Sequence, residues 1–281
     1  MYKHIAVGLD GSAVAAAAED LALELAVRLQ ATVHGIHVIN SAFLDGAFIT
    51  DISGAMGFEP FVNLQSQVRH TLTAIGDTIR GRFLERCSEA GIPAEFHTQH
   101  AGVAAGLLAA SRTADVLVVG QRGINARFHE DALGPVTEAL LRRSIRPVLV
   151  VPGPSDAVHR PLVAFDGSPK ALRALHYAAH LARELHLSLA VATVDTVEER
   201  MAARLAEAEA YLAPFGVDMT SVALHGEAVE ELLLAEVGRG AHDLLILGAH
   251  GHNRVVELVL GSTSEYLARR SSIPVFCVTR A

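Results

Sequence analysis

Two stretches of this sequence repeat one another. His4-Ile5-Ala6-Val7-Gly8-Leu9-Asp10-Gly11-Ser12 returns as Arg160-Pro161-Leu162-Val163-Ala164-Phe165-Asp166-Gly167-Ser168. Arg146-Pro147-Val148-Leu149-Val150-Val151 returns as Ile273-Pro274-Val275-Phe276-Cys277-Val278. Self-similarity at so long a period means one structural unit used twice. Within each unit, short apolar runs alternate with longer helical patterns, β-α-β-α-β-α-β-α-β. That alternation predicts an α/β fold, a doubly wound parallel sheet with helices on both faces and right-handed crossovers.

Strands are expected near 3–9, 32–39, 93–99, 115–120 and 147–151, and again near 160–165, 188–194, 217–224, 243–248 and 274–279. Helices are expected near 13–30, 62–90, 103–112 and 135–144, then near 169–186, 196–213, 226–239 and 262–270. Ser12 suits a helix cap, and Pro147 marks a helix end followed by a strand. Pro152-Gly153-Pro154-Ser155-Asp156 resists both helix and strand, so two domains are expected, 1–151 and 159–281, with 152–158 as linker. Asp10 and Asp166 lie 156 positions apart, as do Val38 and Val194, whereas Gly91 and Gly216 lie 125 apart. The first unit therefore carries about thirty extra residues between its second and third strands, around 41–66. They suit a lid, a partner-docking loop or a surface excursion packed over its own sheet.

The functional signal lies at the end of the second unit's fourth strand. Leu244-Leu245-Ile246-Leu247 reads as a buried strand, and Gly248-Ala249-His250-Gly251 lets the chain turn and approach a ligand closely. Nine residues later Gly261-Ser262-Thr263 opens a helix pattern. Free N–H groups at a helix start, with hydroxyls beside them, make an anion site suited to phosphate. The same residues also terminate strands and cap helices without any ligand. In an open α/β sheet the ligand crevice lies beyond the carboxyl ends of the strands, where strand order reverses. For an order 3-2-1-4-5 that places it between strand one, ending Ala164-Phe165-Asp166, and strand four, ending Leu247-Gly248.

Gly-x-x-Gly, nine residues, then Gly-Ser resembles the nucleotide-binding signature of the universal stress protein family, and the resemblance extends over nearly the whole chain. It implies two tandem Rossmann-like (adenine nucleotide alpha hydrolase-like) domains, each a five-stranded parallel sheet of order 3-2-1-4-5. It implies ATP or AMP as ligand, with Mg²⁺ as a candidate companion. The phosphates and ribose would lie on the Gly248, Gly251, Gly261, Ser262 and Thr263 loop. Ala164, Phe165, Asp166 and the backbone near Val194 would hold the adenosine, and Leu247 at the end of strand four also belongs to the binding site. A carboxylate at Asp166 suits ribose hydroxyls or an adenine amine edge, although an Asp-Gly-Ser turn explains it equally well. In the resembled family fifth strands pair antiparallel across a dimer. Here that implies an internal pseudo-dimer of the two halves, with further homodimerisation open.

The first unit departs from the pattern. Gly120-Gln121-Arg122-Gly123 is present, but ten residues precede Gly134, and Pro135 replaces the serine. Proline at the first helical position is structurally sound, yet it removes one N–H and offers no hydroxyl. Glu130 and Asp131 would repel a triphosphate, partly offset by Arg122 and Arg127. Weak or no nucleotide binding is expected there.

Other chemistries fit less well. Both copies read Asp-Gly-Ser after strand one, not the Gly-x-Gly-x-x-Gly of a dinucleotide site, and no Walker phosphate loop occurs. No serine- and glycine-rich loop after strand one suits an ATP pyrophosphatase. No catalytic residue is assigned, because no Lys or Arg is clearly aimed at a γ-phosphate; Arg254 is the nearest. At most a slow Mg²⁺-dependent ATPase is expected. The remaining class is a nucleotide-independent interaction scaffold.

A net charge of −8 argues against a nucleic-acid binder. Arg142, Arg143 and Arg146 are expected as helix-dipole partners on the surface. Among fifteen histidines, His97 and His100 end the third strand, His225 precedes Gly226, and His250 and His252 sit in the loop. They are read as solvated or phosphate-contacting, with zinc as the alternative, and no metal ligand is assigned. Two cysteines, Cys87 and Cys277, form no disulfide framework. With no apolar run of about 20 residues and a strand beginning near Met1, a cytoplasmic protein without a membrane partner is expected.

Overall fold

The computed structural model describes residues 1–40, 61–124, 133–249 and 261–279, with backbone alone for 61–65. Among the described residues ten strands form one sheet: β1 (His4–Gly8), β2 (Thr32–Asn40), β3 (Ala94–Ala101), β4 (Val116–Gly120), β5 (Val148–Val151), β6 (Pro161–Ala164), β7 (Leu189–Asp195), β8 (Met219–His225), β9 (Leu244–Gly248) and β10 (Val275–Val278). Their order is β3-β2-β1-β4-β5-β10-β9-β6-β7-β8. Neighbours within each half are parallel, while β5 and β10 meet antiparallel at the centre, with Leu149 opposite Phe276.

The α-helices among the described residues are α1 (Ala13–Leu29), α2 (Phe61–Glu89), α3 (Val103–Ala110), α4 (Pro135–Arg143), α5 (Pro169–Leu185), α6 (Glu198–Leu212), α7 (Val229–Gly238) and α8 (Ser262–Arg270). Each first helix starts from the same turn. Asp10 Oδ1 accepts from the Ser12 amide at 2.9 Å, and Ser12 Oγ caps Ala15 N at 3.1 Å. Asp166 and Ser168 repeat this at 2.9 and 3.2 Å. The glycine between them, Gly11 or Gly167, sits at φ +82° or +77°, where a Cβ is strained.

Strand side chains alternate between two cores. Ile5, Val7, Val118, Leu149, Val163, Ile246 and Phe276 join α1, α2, α5 and α6 on one face. Ala6, Leu117, Val150, Leu162, Leu245 and Cys277 join α3, α4, α7 and α8 on the other. A sheet covered on both faces requires strands apolar on both sides, and these runs are.

The extra residues of the first half divide between two places. Helix α2 runs for 29 residues where its counterpart α6 runs for 15, and the rest of the insertion, 41–60, lies outside the described residues. Phe83 and Ile79 root α2 in the core, and Arg82 and Arg86 pair with the fully buried carboxylate of Glu19 on α1 at 2.9 and 2.8 Å.

Side chains join the two halves around the central strand pair. Gln121 Nε2 donates to the carbonyls of Ala268 and Arg269 at 2.7 and 3.0 Å. Tyr2 Oη donates to the Tyr177 carbonyl at 2.8 Å, and Thr279 Oγ1 to the Arg146 carbonyl at 2.7 Å. Arg142 bridges Glu138 and Glu265 at 2.7 and 3.3 Å, so this arginine joins the halves as well as facing its helix end.

Candidate functional site

In each half strand order reverses between the first and fourth strands, β1 and β4 or β6 and β9, so a crevice opens beyond their carboxyl ends. In the second half Val163 pairs with Ile246, which carries Ala164 and Leu247 forward together to its floor. Ala164 is half-buried, whereas Phe165 and Leu247 point into the two cores, leaving mainly their backbone to the crevice. Asp166 is exposed at the rim. Burial and the neighbouring Arg173 lower the pKa of Lys170, and Asp166 pulls it the other way, so a cation and a carboxylate share this corner.

Helix α8 begins at the opposite wall. Gly261 is its N-cap and makes no side-chain capping bond, and the Ser262 side chain is exposed at the first helical position. Gly261 N donates to Ala249 O at 3.2 Å, drawing the helix start back to the strand end. Ser264 Oγ locks the same corner by donating to Gly248 O at 2.9 Å. His250, Gly251, His252 and Arg254 lie outside the described residues.

Gly248 has a different use from close approach to a ligand. A Cβ there would lie 2.8 Å from the Lys170 carbonyl oxygen, so the missing side chain lets α5 pack against β9. Gly120 does the same for α1, with Val14 Cγ1 at 2.9 Å from its would-be Cβ.

Two neighbours that sequence order does not reveal engage residues expected at the site. Arg204 on α6 donates to the Val194 carbonyl at 3.3 Å and pairs with Asp195 at 3.0 Å. The Val197 amide, followed by Arg200, the Thr196 amide and Arg204, holds the Asp195 carboxyl below its ordinary pKa. Glu230 on α7 accepts from Thr263 Oγ1 at 2.6 Å. The Val194 carbonyl and the Thr263 hydroxyl therefore already have protein partners.

The first crevice is furnished differently. Asp10 Oδ2 accepts from the Ile124 amide at 2.9 Å, and His37 Nδ1 lies 2.8 Å from the Leu9 carbonyl beneath Gly76 of α2. Helix α4 starts with Pro135 after Gly134, again without a side-chain cap. Arg127, Glu130 and Asp131 lie outside the described residues.

Histidines expected to be solvated or phosphate-contacting behave unequally. His34, not singled out by its sequence context, stands with Glu95 and His97 in a group whose ligand atoms lie within 4.8 Å of one another. Only strand register brings the three together. No helix among the described residues is long and apolar enough to cross a membrane.

A doubled, centrally joined α/β sheet with a crevice in each half defines the structural class. The chain belongs to the universal stress protein family, whose model matches residues 1–152 and again 158–279. It is 35% identical over 163 residues to the universal stress protein Slr1230 of Synechocystis, a match covering 57% of this chain and 56% of that one. It thus spans about half the length of that relative. A universal stress protein of Mycolicibacterium smegmatis is 29% identical over 209 residues, covering 67% of this chain and 69% of its own. The crystal structure of a universal stress protein from Archaeoglobus fulgidus superposes with a TM-score of 0.71 at 23% identity, covering 99% of this chain and 98% of that one. At that identity the likeness speaks to fold.

Proposed function

We propose that the second half binds an adenine nucleotide, ATP or AMP, in the crevice between β6 and β9. Its phosphates would face Gly248, Gly251, Gly261 and Ser262. Ala164, Asp166 and the strand ends would bear on the adenosine. The observation that carries this reading is the start of α8: a helix N-terminus without a side-chain cap, with the exposed Ser262 hydroxyl at the mouth of the crevice. Amide dipoles and a hydroxyl converging there suit an anionic tail, and Lys170 adds positive charge nearby. Mg²⁺, if it accompanies the phosphates, has Asp166 as the nearest described carboxylate of the motif. The two halves act as an internal pseudo-dimer, a reading supported by the antiparallel β5–β10 pair.

The first half already contains the informative substitution, since Pro135 stands where the second half has Ser262. Ser262→Pro keeps a sound helix start but removes an N–H and a hydroxyl. Hydrogen bonds to charged groups contribute about 1.5–3 kcal/mol each, so nucleotide affinity should fall by about tenfold or more. Gly261→Val should weaken it as well. Titration of ATP and of AMP into wild type and both variants, with and without Mg²⁺, reads this directly. Equal, negligible affinity in all three proteins removes the nucleotide reading.

A second reading, a nucleotide-independent interaction scaffold, draws support from the Arg204–Val194 and Glu230–Thr263 bonds, which engage crevice groups internally. The same titration separates the two.

A further inference from the structure

At the end of the sheet opposite the crevice, the first half carries four side chains that the second half lacks. In the parallel register Ala6 pairs with His34, His34 with Glu95 and Ile36 with His97. One face of β1, β2 and β3 therefore presents His4, His34, Glu95 and His97 together. His34 Nδ1 and His97 Nε2 each lie 3.4 Å from the same carboxylate oxygen, Glu95 Oε2. The His34 and His97 rings are nearly parallel, at 16° and 6.1 Å between centroids. His34 Nε2 lies 3.1 Å from His4 Nδ1.

We propose that His34, Glu95 and His97 bind a divalent transition-metal cation of borderline softness, with Zn²⁺ as the fitting probe and water completing a tetrahedron.

The distances carry the assignment. Zinc bonds of about 2.0–2.1 Å to nitrogen and oxygen place tetrahedral ligand atoms about 3.4 Å apart. Two of the three separations already have that value. The third, between the His34 and His97 nitrogens, lies within 4.8 Å and closes by rotation of His97, whose side chain is 44% exposed. Two imidazoles and one carboxylate form a donor set that suits zinc.

An outer shell is also in place. With Nδ1 of His34 on the metal, its Nε2–H donates to His4 Nδ1, which fixes tautomer and ring orientation. His4 is itself held by Asp115, whose Oδ2 accepts from the Lys3 and His4 amides at 2.7 and 2.9 Å. Burial lowers the pKa of His34, with Glu95 opposing and His4 and His97 adding.

The second half serves as an internal control. Its Leu162 pairs with Ala190, Ala190 with Thr220 and Ala192 with Val222, the same register as in the first half. Asp243 repeats the Asp115 anchor on the His159 and Arg160 amides. Arg160, Ala190, Thr220 and Val222 occupy the four corresponding positions. The fold thus forms without the cluster. Because β3 is the outermost strand of the sheet, a bound cation would also tie that strand to β2.

Zn²⁺ titration of the full chain by calorimetry, paired with Co²⁺ absorption, tests the proposal. Wild type and His100→Ala should bind one more equivalent than His34→Ala, His97→Ala or Glu95→Gln, and only the first two should give tetrahedral Co²⁺ bands from this site. His4→Ala should weaken it by about 10–100-fold. Zn²⁺ should raise the melting temperature of wild type more than that of Glu95→Gln, which is nearly isosteric and so carries the test if a histidine variant fails to fold. Equal stoichiometry and unchanged Co²⁺ spectra in the three ligand variants would overturn the assignment.

Discussion

Asp10 and Asp166 show one residue type building the same turn in both halves. Each accepts the amide two positions on, and Asp10 additionally ties down Ile124. The turn and its serine cap were legible because their partners lie within three residues. Arg204 and Glu230 were not, since they reach Val194 and Thr263 across 10 and 33 positions. No local pattern announces such a contact. The two thiols yield a prediction at this scale. Burial raises Cys87 to about 11 and Cys277 to about 12, with Glu19 adding to Cys87 and Arg86 opposing. The fold therefore favours the protonated thiols, a contribution complete below the ordinary value of 9.0 and lost as pH rises towards those higher values. Native protein at pH 8 should react negligibly with a thiol-specific disulfide reagent over minutes. Denatured protein should release two equivalents. Fast reaction of either cysteine in the native state would contradict the burial described.

The strand and helix positions were readable because alternating apolar runs, Asp-Gly-Ser turns and prolines mark nearly every boundary. Pro135 and Pro169 begin helices, and Pro147 and Pro274 immediately precede β5 and β10. The extent of α2 was readable too, expected near 62–90 and found over Phe61–Glu89; what was unreadable is how it is anchored. The long, weakly amphipathic α2 is anchored through Phe83 and through Glu19, 63 and 67 positions from its arginine partners. Close approach of elements gives the next prediction. Gly248→Ala places a methyl group against the Lys170 backbone, which cannot move without displacing α5 from β9. Overpacking of this kind costs about 1–3 kcal/mol. The variant should unfold at correspondingly lower denaturant concentration with an unchanged m-value. Unchanged stability would mean that the α5–β9 contact is looser than described.

For the whole molecule, the repeat made a doubled sheet legible, and the apolar fifth strands marked where the halves would seek a partner. Sequence could not supply the cross-bonds that lock the join: Gln121 on the end of α8, Tyr2 on Tyr177 and Thr279 on Arg146. One core face also runs through both halves without a break, from Ile5 and Val118 to Phe276 and Ile246. The halves should therefore unfold together. Scanning calorimetry is expected to give one transition with calorimetric and van't Hoff enthalpies in agreement. Two resolved transitions would show instead that the central strands hold the halves only loosely.

The antiparallel meeting of β5 with β10 occurs within one polypeptide, so mass action does not govern it. A pair of separate subunits joined the same way would part on dilution, but tethered strands keep a fixed effective concentration. The two crevices consequently stay in each other's company at any abundance of the protein, and each copy was left at liberty to diverge.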